Sequence, residues 1–339
     1  MTKKICISGY YGFDNFGDEI ILQILIENLH KFKCKPLITV FSSNPQKTSD
    51  LYSVNCVNSF NLNNVINELK TCDILISGGG SLLQDVTSCR SLVYYLGIIF
   101  LAVLFRKKVV IFAQGIGPIK NRFLAFLTFC LLKKAAFITV RDEKSFNLLK
   151  NNGVAADICA DPVWNLDIPK KEKKSEIGVQ LRTWADLTDK VLCSLAENIS
   201  KFYSHKKINI YSLQNSLDLE VCIKFNNFLH KINPDIKTEV KENISNKVII
   251  DEISSLEAFI AMRYHACLIA IKAGVKLLPL SYDIKVENIA GKFNLDFLEI
   301  NKPEEFERKI EKFSSDVIVY DREKIKKLSY DFGLIEKIL

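Results

Sequence analysis

The chain has 339 residues, 48% of them hydrophobic and 25% charged, with a formal net charge of +7. That length suits two domains, and the composition is that of a water-soluble globular protein rather than a disordered or fibrous one. The positive excess is scattered, with no basic tract or aromatic-interleaved repeat, which argues against nucleic acid and fits an anionic substrate or a membrane surface.

Met1 to Gly9 runs straight into a strand and a turn, without the apolar core and cleavage site of a secretory signal. Ten cysteines are present, none in a CxxC arrangement and most among apolar residues. They read as reduced, packed thiols in a cytoplasmic protein, with no zinc site and no disulfide frame. The longest apolar run, Leu92 to Phe105, lies between Arg90 and Arg106. A membrane span needs about 20 residues. The run therefore reads as a buried helix, with a lipid-facing role as the lesser alternative.

Lys4 to Ser8 is a short β-branched strand, followed by the loop GYYGFDNFGDE (9–19) and an amphipathic helix from near Asp18. Strand, glycine-rich loop and helix together let backbone approach a ligand and aim helix N–H groups at it. The loop is not GxGxxG, so the dinucleotide fingerprint fails. Gly12 and Asn15 shape this loop. Asp18 reads either as a helix cap or as a functional acid, and Asp14 as a functional or loop-shaping residue. Leu37–Ser42 is a second strand, and Val65–Leu69 part of a helix. Asp73 to Ser77 is a buried strand that runs into Gly78, Gly79, Gly80, Ser81, Gln84 and Asp85. Three glycines at the carboxyl end of a parallel strand imply close backbone approach where ligands bind in open α/β folds. A tight turn under a packed loop is the alternative. Lys108 to Gln114 repeats the pattern before Gly115 and Gly117. Phe137 to Arg141 is a strand whose terminal arginine suits an anion, or a surface pair with Asp142 or Glu143. PKKEKKS (169–175) is charged and without apolar residues, and reads as a linker.

The second half restarts with a strand ending at Arg182, next to Trp184. Val191–Tyr203 and Ser216–Ile232 read as helices, and Lys207–Leu213 and Val248–Ile250 as strands. Ser254–Ala261 reads as a helix start, His265–Ala273 as a helix and Val275–Ser281 as a strand. Arg263 and His265 sit at a turn-to-helix junction in an apolar setting, with Lys285 downstream. They suit an anionic ligand, or else a carboxylate-paired arginine and a satisfied core histidine. Strand–helix alternation in both halves predicts an α/β protein of two doubly wound domains facing across a cleft. The boundaries read as 1–168, 175–320 and a C-terminal helix over 321–339.

Eight segments in order resemble the polysaccharide pyruvyl transferases, closest to those that modify secondary cell-wall polymers for S-layer attachment. They are GYYGFDNFGDE (9–19), SGGGSLLQDVTSCRSLVYYL (77–96), AQGIGPI (113–119), ITVRDEKS (138–145), ADPVW (160–164), LRTW (181–184), MRYHACLIAIKAGV (262–275) and SYDIKV (281–286). The departures, Tyr264 where the family often has Leu and Ile284 where it often has Pro, touch no charged position. The resemblance implies two Rossmann-like domains as in GT-B glycosyltransferases, the first on the acceptor side and the second on the donor side. It implies transfer of the enolpyruvyl carbons of phosphoenolpyruvate to two sugar hydroxyls as a cyclic ketal, with phosphate released. Arg141, Arg263, His265 and Lys285 would hold phosphoenolpyruvate. His265, with Asp18 or Asp14, would move protons. Gly12, Asn15, Gly79, Gly80, Ser81, Gln84, Asp85, Gln114, Arg182 and Trp184 would shape the acceptor site or its loops. No cofactor or metal is expected beyond the donor itself. The expected partners are phosphoenolpyruvate and a sugar acceptor, lipid-linked in one version, with a peripheral contact at the inner membrane face permitted by charge. The alternatives are a nucleotide-sugar glycosyltransferase and a non-catalytic sugar-binding protein.

Overall fold

The computed structural model describes residues 2–86 and 88–339. The chain divides into two compact units, Met1–Leu166 with Lys326–Leu339, and Asp167–Ile325.

The first unit alternates β1 (Lys4–Ser8), α1 (Phe16–Leu29), β2 (Leu37–Ser42), α2 (Pro45–Tyr52), β3 (Asn55–Asn58), α3 (Leu62–Thr71), β4 (Ile74–Ser77), α4 (Cys89–Leu104), β5 (Lys108–Gln114), α5 (Arg122–Leu132), β6 (Phe137–Val140), α6 (Glu143–Asn151) and β7 (Asp157–Ile158). Its strands form one sheet in the order β3-β2-β1-β4-β5-β6-β7. All pairs are parallel, with Ile5 opposite Ile38 on one side and Ile74 on the other. Parallel strands are covered on both faces, which is why β4 is buried at every residue and shows no polar alternation.

The second unit continues with β8 (Glu176–Gln180), α7 (Asp189–Tyr203), β9 (Lys207–Tyr211), α8 (Asn215–Ile232), β10 (Thr238–Lys241), α9 (Asn246–Ser255), β11 (Ala258–Ala261), α10 (Tyr264–Lys272), β12 (Lys276–Ser281), α11 (Ile284–Lys292), β13 (Leu298–Glu299), α12 (Phe306–Ser315) and α13 (Arg322–Lys326). This sheet is also parallel, in the order β10-β9-β8-β11-β12-β13. The chain closes with α14 (Gly333–Glu336).

Both orders start at a central strand, run outward, return and run the other way. The direction reverses between β1 and β4 in the first unit and between β8 and β11 in the second. Ligands of open α/β sheets bind beyond the carboxyl ends at such a reversal. The loops there carry residues 9–15 and 78–86 in one unit, and Arg182–Trp184 and Arg263–His265 in the other.

Several elements differ from the sequence reading. Val248–Ile250 is helical, inside α9, because Ser245 caps that helix at the Val248 N–H and Ile249, Ile250 and Ile253 form its buried stripe. The strand of this region is β11, placed where a helix start was expected. Its four residues are all buried between β8 and β12, so they carry no period to read. Residues 321–339 do not form one helix. The Asn165 side chain receives the Tyr330 N–H at 2.7 Å and donates to its carbonyl at 2.9 Å, which takes those groups out of any helical ladder. Tyr330 also packs on Phe112 at 4.8 Å between ring centres. The charged stretch before β8 is not loose either: Lys173 donates to the Ser254 carbonyl and the Lys174 N–H to that of Ser255. All ten cysteines are unpaired; Cys6, Cys72, Cys222 and Cys267 are buried, but Cys34, Cys89 and Cys130 are exposed rather than packed.

Candidate functional site

At the edge of the first sheet, the glycines answer to the protein's own side chains. A Cβ on Gly78 would lie 1.8 Å from the Tyr11 hydroxyl, on Gly79 2.7 Å from Ile21 Cγ2, and on Gly80 2.5 Å from Asp18 Oδ1. Gly9 makes room for the Tyr11 ring, and Gly12, at φ +80°, for Ser42 Oγ and the Asn44 N–H. The space that side chains would need at Gly78–Gly80 is taken up by α1 and Tyr11. Tyr11 is fully buried, and its hydroxyl has no hydrogen-bond partner among the described residues. Burial first, then the charge of Asp18, pushes this phenol well above its ordinary range.

The loop after β1 is held by residues that differ in part from those expected. Asn15, not Asp18, caps α1, accepting from the Gly17 and Asp18 N–H groups at 3.1 and 3.4 Å. Asp18 is therefore left half-buried beside Gly80. Asp14 sits exposed in the left-handed region at φ 57° and pairs with Lys47 at 2.6 Å. Glu19, which the sequence did not single out, is buried and accepts the Gly12 N–H at 2.7 Å and the Tyr52 hydroxyl at 3.2 Å. Burial raises its carboxyl above the usual range against the pull of those donors.

Two further acids of the first unit are spent on loop geometry or pairing. Asp85 accepts the Lys120 and Asn121 N–H groups at 2.8 Å each, and these donors lower its pKa. Gln84 accepts the Val86 N–H at 2.7 Å. Gln114 is fully buried and donates to Ser77 Oγ and the Gly78 carbonyl, tying β5 to the β4 loop. Arg141, at the end of β6, is not on a surface pair with Asp142 or Glu143. Its Nη1 lies 2.9 Å from Asp161 Oδ2 and its Nη2 3.3 Å from Ser81 Oγ, and both charged side chains are almost wholly buried. Stacked aromatic rings, Tyr10 on Phe13 at 4.2 Å and Phe13 edge-on to Phe60 at 6.2 Å, line the same edge.

The edge of the second sheet is built from cations. Arg263 leaves β11 with its backbone N–H on Gln180 Oε1 at 2.7 Å. Its Nε and Nη2 bind the two oxygens of Asp218 at 2.7 and 2.8 Å, and Nη2 also reaches Gln214 at 3.1 Å. Asp218 is fully buried. This is the carboxylate-paired arginine of the sequence alternatives, with Nη1 left over. His265 stands in the first turn of α10, half-buried, its ring edge-on to Tyr264 at 5.3 Å; α10 has no side-chain cap. Lys285 stands in the first turn of α11, whose cap is Asp283.

Arg182 differs from the other two arginines. It is 4.9 Å from the Tyr282 ring and 5.3 Å from that of Trp184, donates through Nη1 to the Tyr282 hydroxyl at 2.9 Å, and has a buried Nε without a partner among the described residues. No carboxylate forms an ion pair with it among those residues. Because β8 and β12 flank β11, the Arg182–Tyr282 bond joins the loops on either side of the Arg263–His265 turn. Asp161, Asp218, Gln180, Gln214 and Tyr282 were not singled out from sequence as partners. Asp161 and Tyr282 lie within quoted segments, whereas Asp218 sits mid-helix with no local signal. Among the described residues no group of three or more His, Cys, Asp or Glu is placed to hold a metal ion.

The family model for polysaccharide pyruvyl transferase matches residues 15–284, a span that contains these loops apart from residues 9–14 of the first and Lys285. The chain belongs to the polysaccharide pyruvyl transferase family. No curated protein matches it. Among solved structures it is similar to the UDP-GlcNAc 2-epimerase of Methanocaldococcus jannaschii, with a TM-score of 0.68 at 12% identity over 100% of this chain and 99% of that one. It is also similar to the Neisseria meningitidis UDP-GlcNAc 2-epimerase bound to UDP-GlcNAc (0.60, 11%, 99% of each chain). A glycosyltransferase from Rickettsia africae gives 0.61 at 14% identity, over 99% and 96%. At such identities these likenesses establish the fold: two parallel-sheet α/β domains of the GT-B-like kind.

Proposed function

We propose that this member of the polysaccharide pyruvyl transferase family uses phosphoenolpyruvate as donor and closes a cyclic pyruvate ketal on a sugar of a secondary cell-wall polymer, the kind that anchors S-layers. The observation that supports this most is the gathering of Arg182, the Arg263–His265 turn and Lys285 at the carboxyl ends of three neighbouring strands, β8, β11 and β12.

Phosphoenolpyruvate presents a phosphate and a carboxylate, for which guanidinium forks and an ammonium point charge are the fitting partners. Arg263 is half-neutralised by Asp218, so it offers Nη1 in a fixed position rather than a full free charge. Arg182 retains its charge, and its rings fix the plane of the fork. It is therefore the stronger anion ligand of the pair, a role the sequence reading did not give it. Proton transfer to the methylene carbon makes C2 electrophilic. One sugar hydroxyl adds to C2 as it loses its proton, the C2–O bond to phosphate breaks, and the second hydroxyl adds to close the ketal. One hydroxyl proton balances the methyl group and the other leaves with phosphate. His265 is the proton carrier, since an imidazole can donate through one ring nitrogen and accept through the other. Of the two carboxylates suggested as base, Asp18 is better suited than Asp14, which lies exposed against Lys47. The ring faces of Tyr10, Phe13 and Phe60 suit the apolar side of a sugar.

Phosphate release from phosphoenolpyruvate, measured over a panel of lipid-linked, nucleotide-linked and polymeric sugars, tests the reaction, with the ketal methyl group identified by proton NMR. Consumption of a nucleotide sugar with no phosphate released from phosphoenolpyruvate would replace it with glycosyl transfer. Binding without turnover would leave a sugar-binding protein. Arg182→Lys should raise the phosphoenolpyruvate concentration needed for half-maximal rate. An unchanged saturation curve removes that residue from the donor site.

A further inference from the structure

Helix α5 is apolar on nearly every side, yet it is poorly covered. Its sequence is RFLAFLTFCLL, and the buried positions are Thr128 and Leu132, while Phe123 is 67% and Phe126 64% exposed. A helix that is hydrophobic all round is normally enclosed by protein or by lipid. Helix α4 packs beside it and leaves Val93, Phe100 and Leu104 exposed, at spacings of seven and four that fall on one stripe. The sequence reading made the run Leu92–Phe105 a buried helix, with a lipid-facing role as the lesser alternative, and only one face of α4 is in the core.

Charge sets this surface apart from an ordinary apolar patch. From Val86 to Lys134 the sequence holds no Asp or Glu and eight Lys or Arg. Arg90, Lys120 and Arg122 stand exposed at the amino ends of the two helices or just before them, and Arg106, Lys133 and Lys134 just past their carboxyl ends. A strip of aromatic and aliphatic side chains is thus flanked by cations at both ends, with the Asp85 carboxylate among them at the amino end of α5. Its complement must be apolar in the middle and anionic around it. A second copy of the chain would set cations against cations. No helix among the described residues is long and apolar enough to cross a membrane.

We propose that α4 and α5 dock the first unit onto the surface of an anionic phospholipid bilayer. Phe100, Phe123 and Phe126 enter the boundary between headgroups and acyl chains, and the flanking arginines and lysines meet lipid phosphates. This is the arrangement of a monotopic helix pair that lies in the interface. The inference requires only this surface and is independent of the reaction proposed above.

The test is sedimentation of the whole protein with vesicles of phosphatidylcholine alone and of phosphatidylcholine with phosphatidylglycerol, at low and at physiological salt. Binding is expected to the anionic vesicles, weakened by salt. The double variant Phe123→Ser/Phe126→Ser should bind about tenfold or more weakly, and Lys133→Glu/Lys134→Glu should also bind more weakly. All four positions are exposed, so circular dichroism and melting should match the wild type. No binding to anionic vesicles at low salt overturns the proposal, as does binding that neither variant weakens. A concentration-dependent dimer that the serine variant abolishes, without vesicle binding, overturns it in favour of self-association. Because the readout is binding, a failure of the phosphoenolpyruvate reaction leaves this result interpretable.

Discussion

At the carboxyl edge of the first sheet the chain is shaped by backbone: Gly9, Gly78, Gly79 and Gly80 give up their side-chain space to Tyr11, Ile21 and Asp18. At the same edge of the second sheet, side chains dominate, with Arg182, Arg263, His265 and Lys285 at adjoining strand ends. The strand order is shared, so the difference lies in what each loop must hold. The first edge carries carboxylates and aromatic rings. The second carries cations. Each also contains an arginine pinned by a buried aspartate, Arg141 by Asp161 and Arg263 by Asp218. An arginine at a strand end is therefore not in itself a free anion ligand, and the distinction between Arg263 and Arg182 depends on the partner.

Four substitutions would break or sharpen this contrast. The largest expected effect is His265→Ala, which should lower turnover by about 10²–10⁴-fold, as loss of a general acid does, with little change in melting temperature. Near-full turnover would make His265 a packing residue and weaken the chemical reading of the second edge. Asp218→Ala comes next. Leaving Arg263 buried without its carboxylate should cost about 3–5 kcal/mol in chemical denaturation. A loss below about 1 kcal/mol would mean that water replaces the partner and the turn is not pinned. Gly80→Ala should cost about 1–3 kcal/mol, because φ is +96° there and the new Cβ would displace Asp18. Its rate should fall more than that of a half-buried control such as Gly97→Ala, where a Cβ meets nothing within 4 Å.

The smallest effect concerns pH. Burial holds the Glu19 carboxyl above its ordinary range, so the folded state favours its protonated form. The stability this contributes is complete below the ordinary glutamate pKa and is lost as pH rises through the folded value. Glu19→Gln keeps an acceptor for the Gly12 N–H and removes that ionisation. The difference in unfolding free energy between mildly acidic and neutral pH should shrink. An unaltered pH slope would show that Glu19 is solvated in solution.

Most of the strands and their reversal loops were legible because buried parallel strands are short apolar runs that break abruptly into glycines or charged residues, as at Ser77–Gly80 and Val140–Arg141, whereas β11 was not. Asn15 was legible as a loop residue but not as the cap, since both Asn15 and Asp18 can cap a helix and only the backbone conformation selects between them. The glycine run could not show its neighbours, because its sequence is the same whether a ligand or Tyr11 fills the space. The exposed side of α5 was invisible for a related reason: an all-apolar helix carries no periodicity to show which face lacks a neighbour.

What the sequence determined by itself is local. Apolar runs of four to seven residues, helix caps and glycines set two alternating α/β units and put the polar loops at the carboxyl ends of their strands. What only the tertiary structure decided is the state of each charge. Asp161 lies 20 residues from Arg141, and Asp218 lies 45 from Arg263 on another helix. Arg182 meets aromatic rings instead of an acid. Electrostatic pairing acts through space over a few ångströms, so its partners are chosen by the packing of strands and helices and not by their order along the chain.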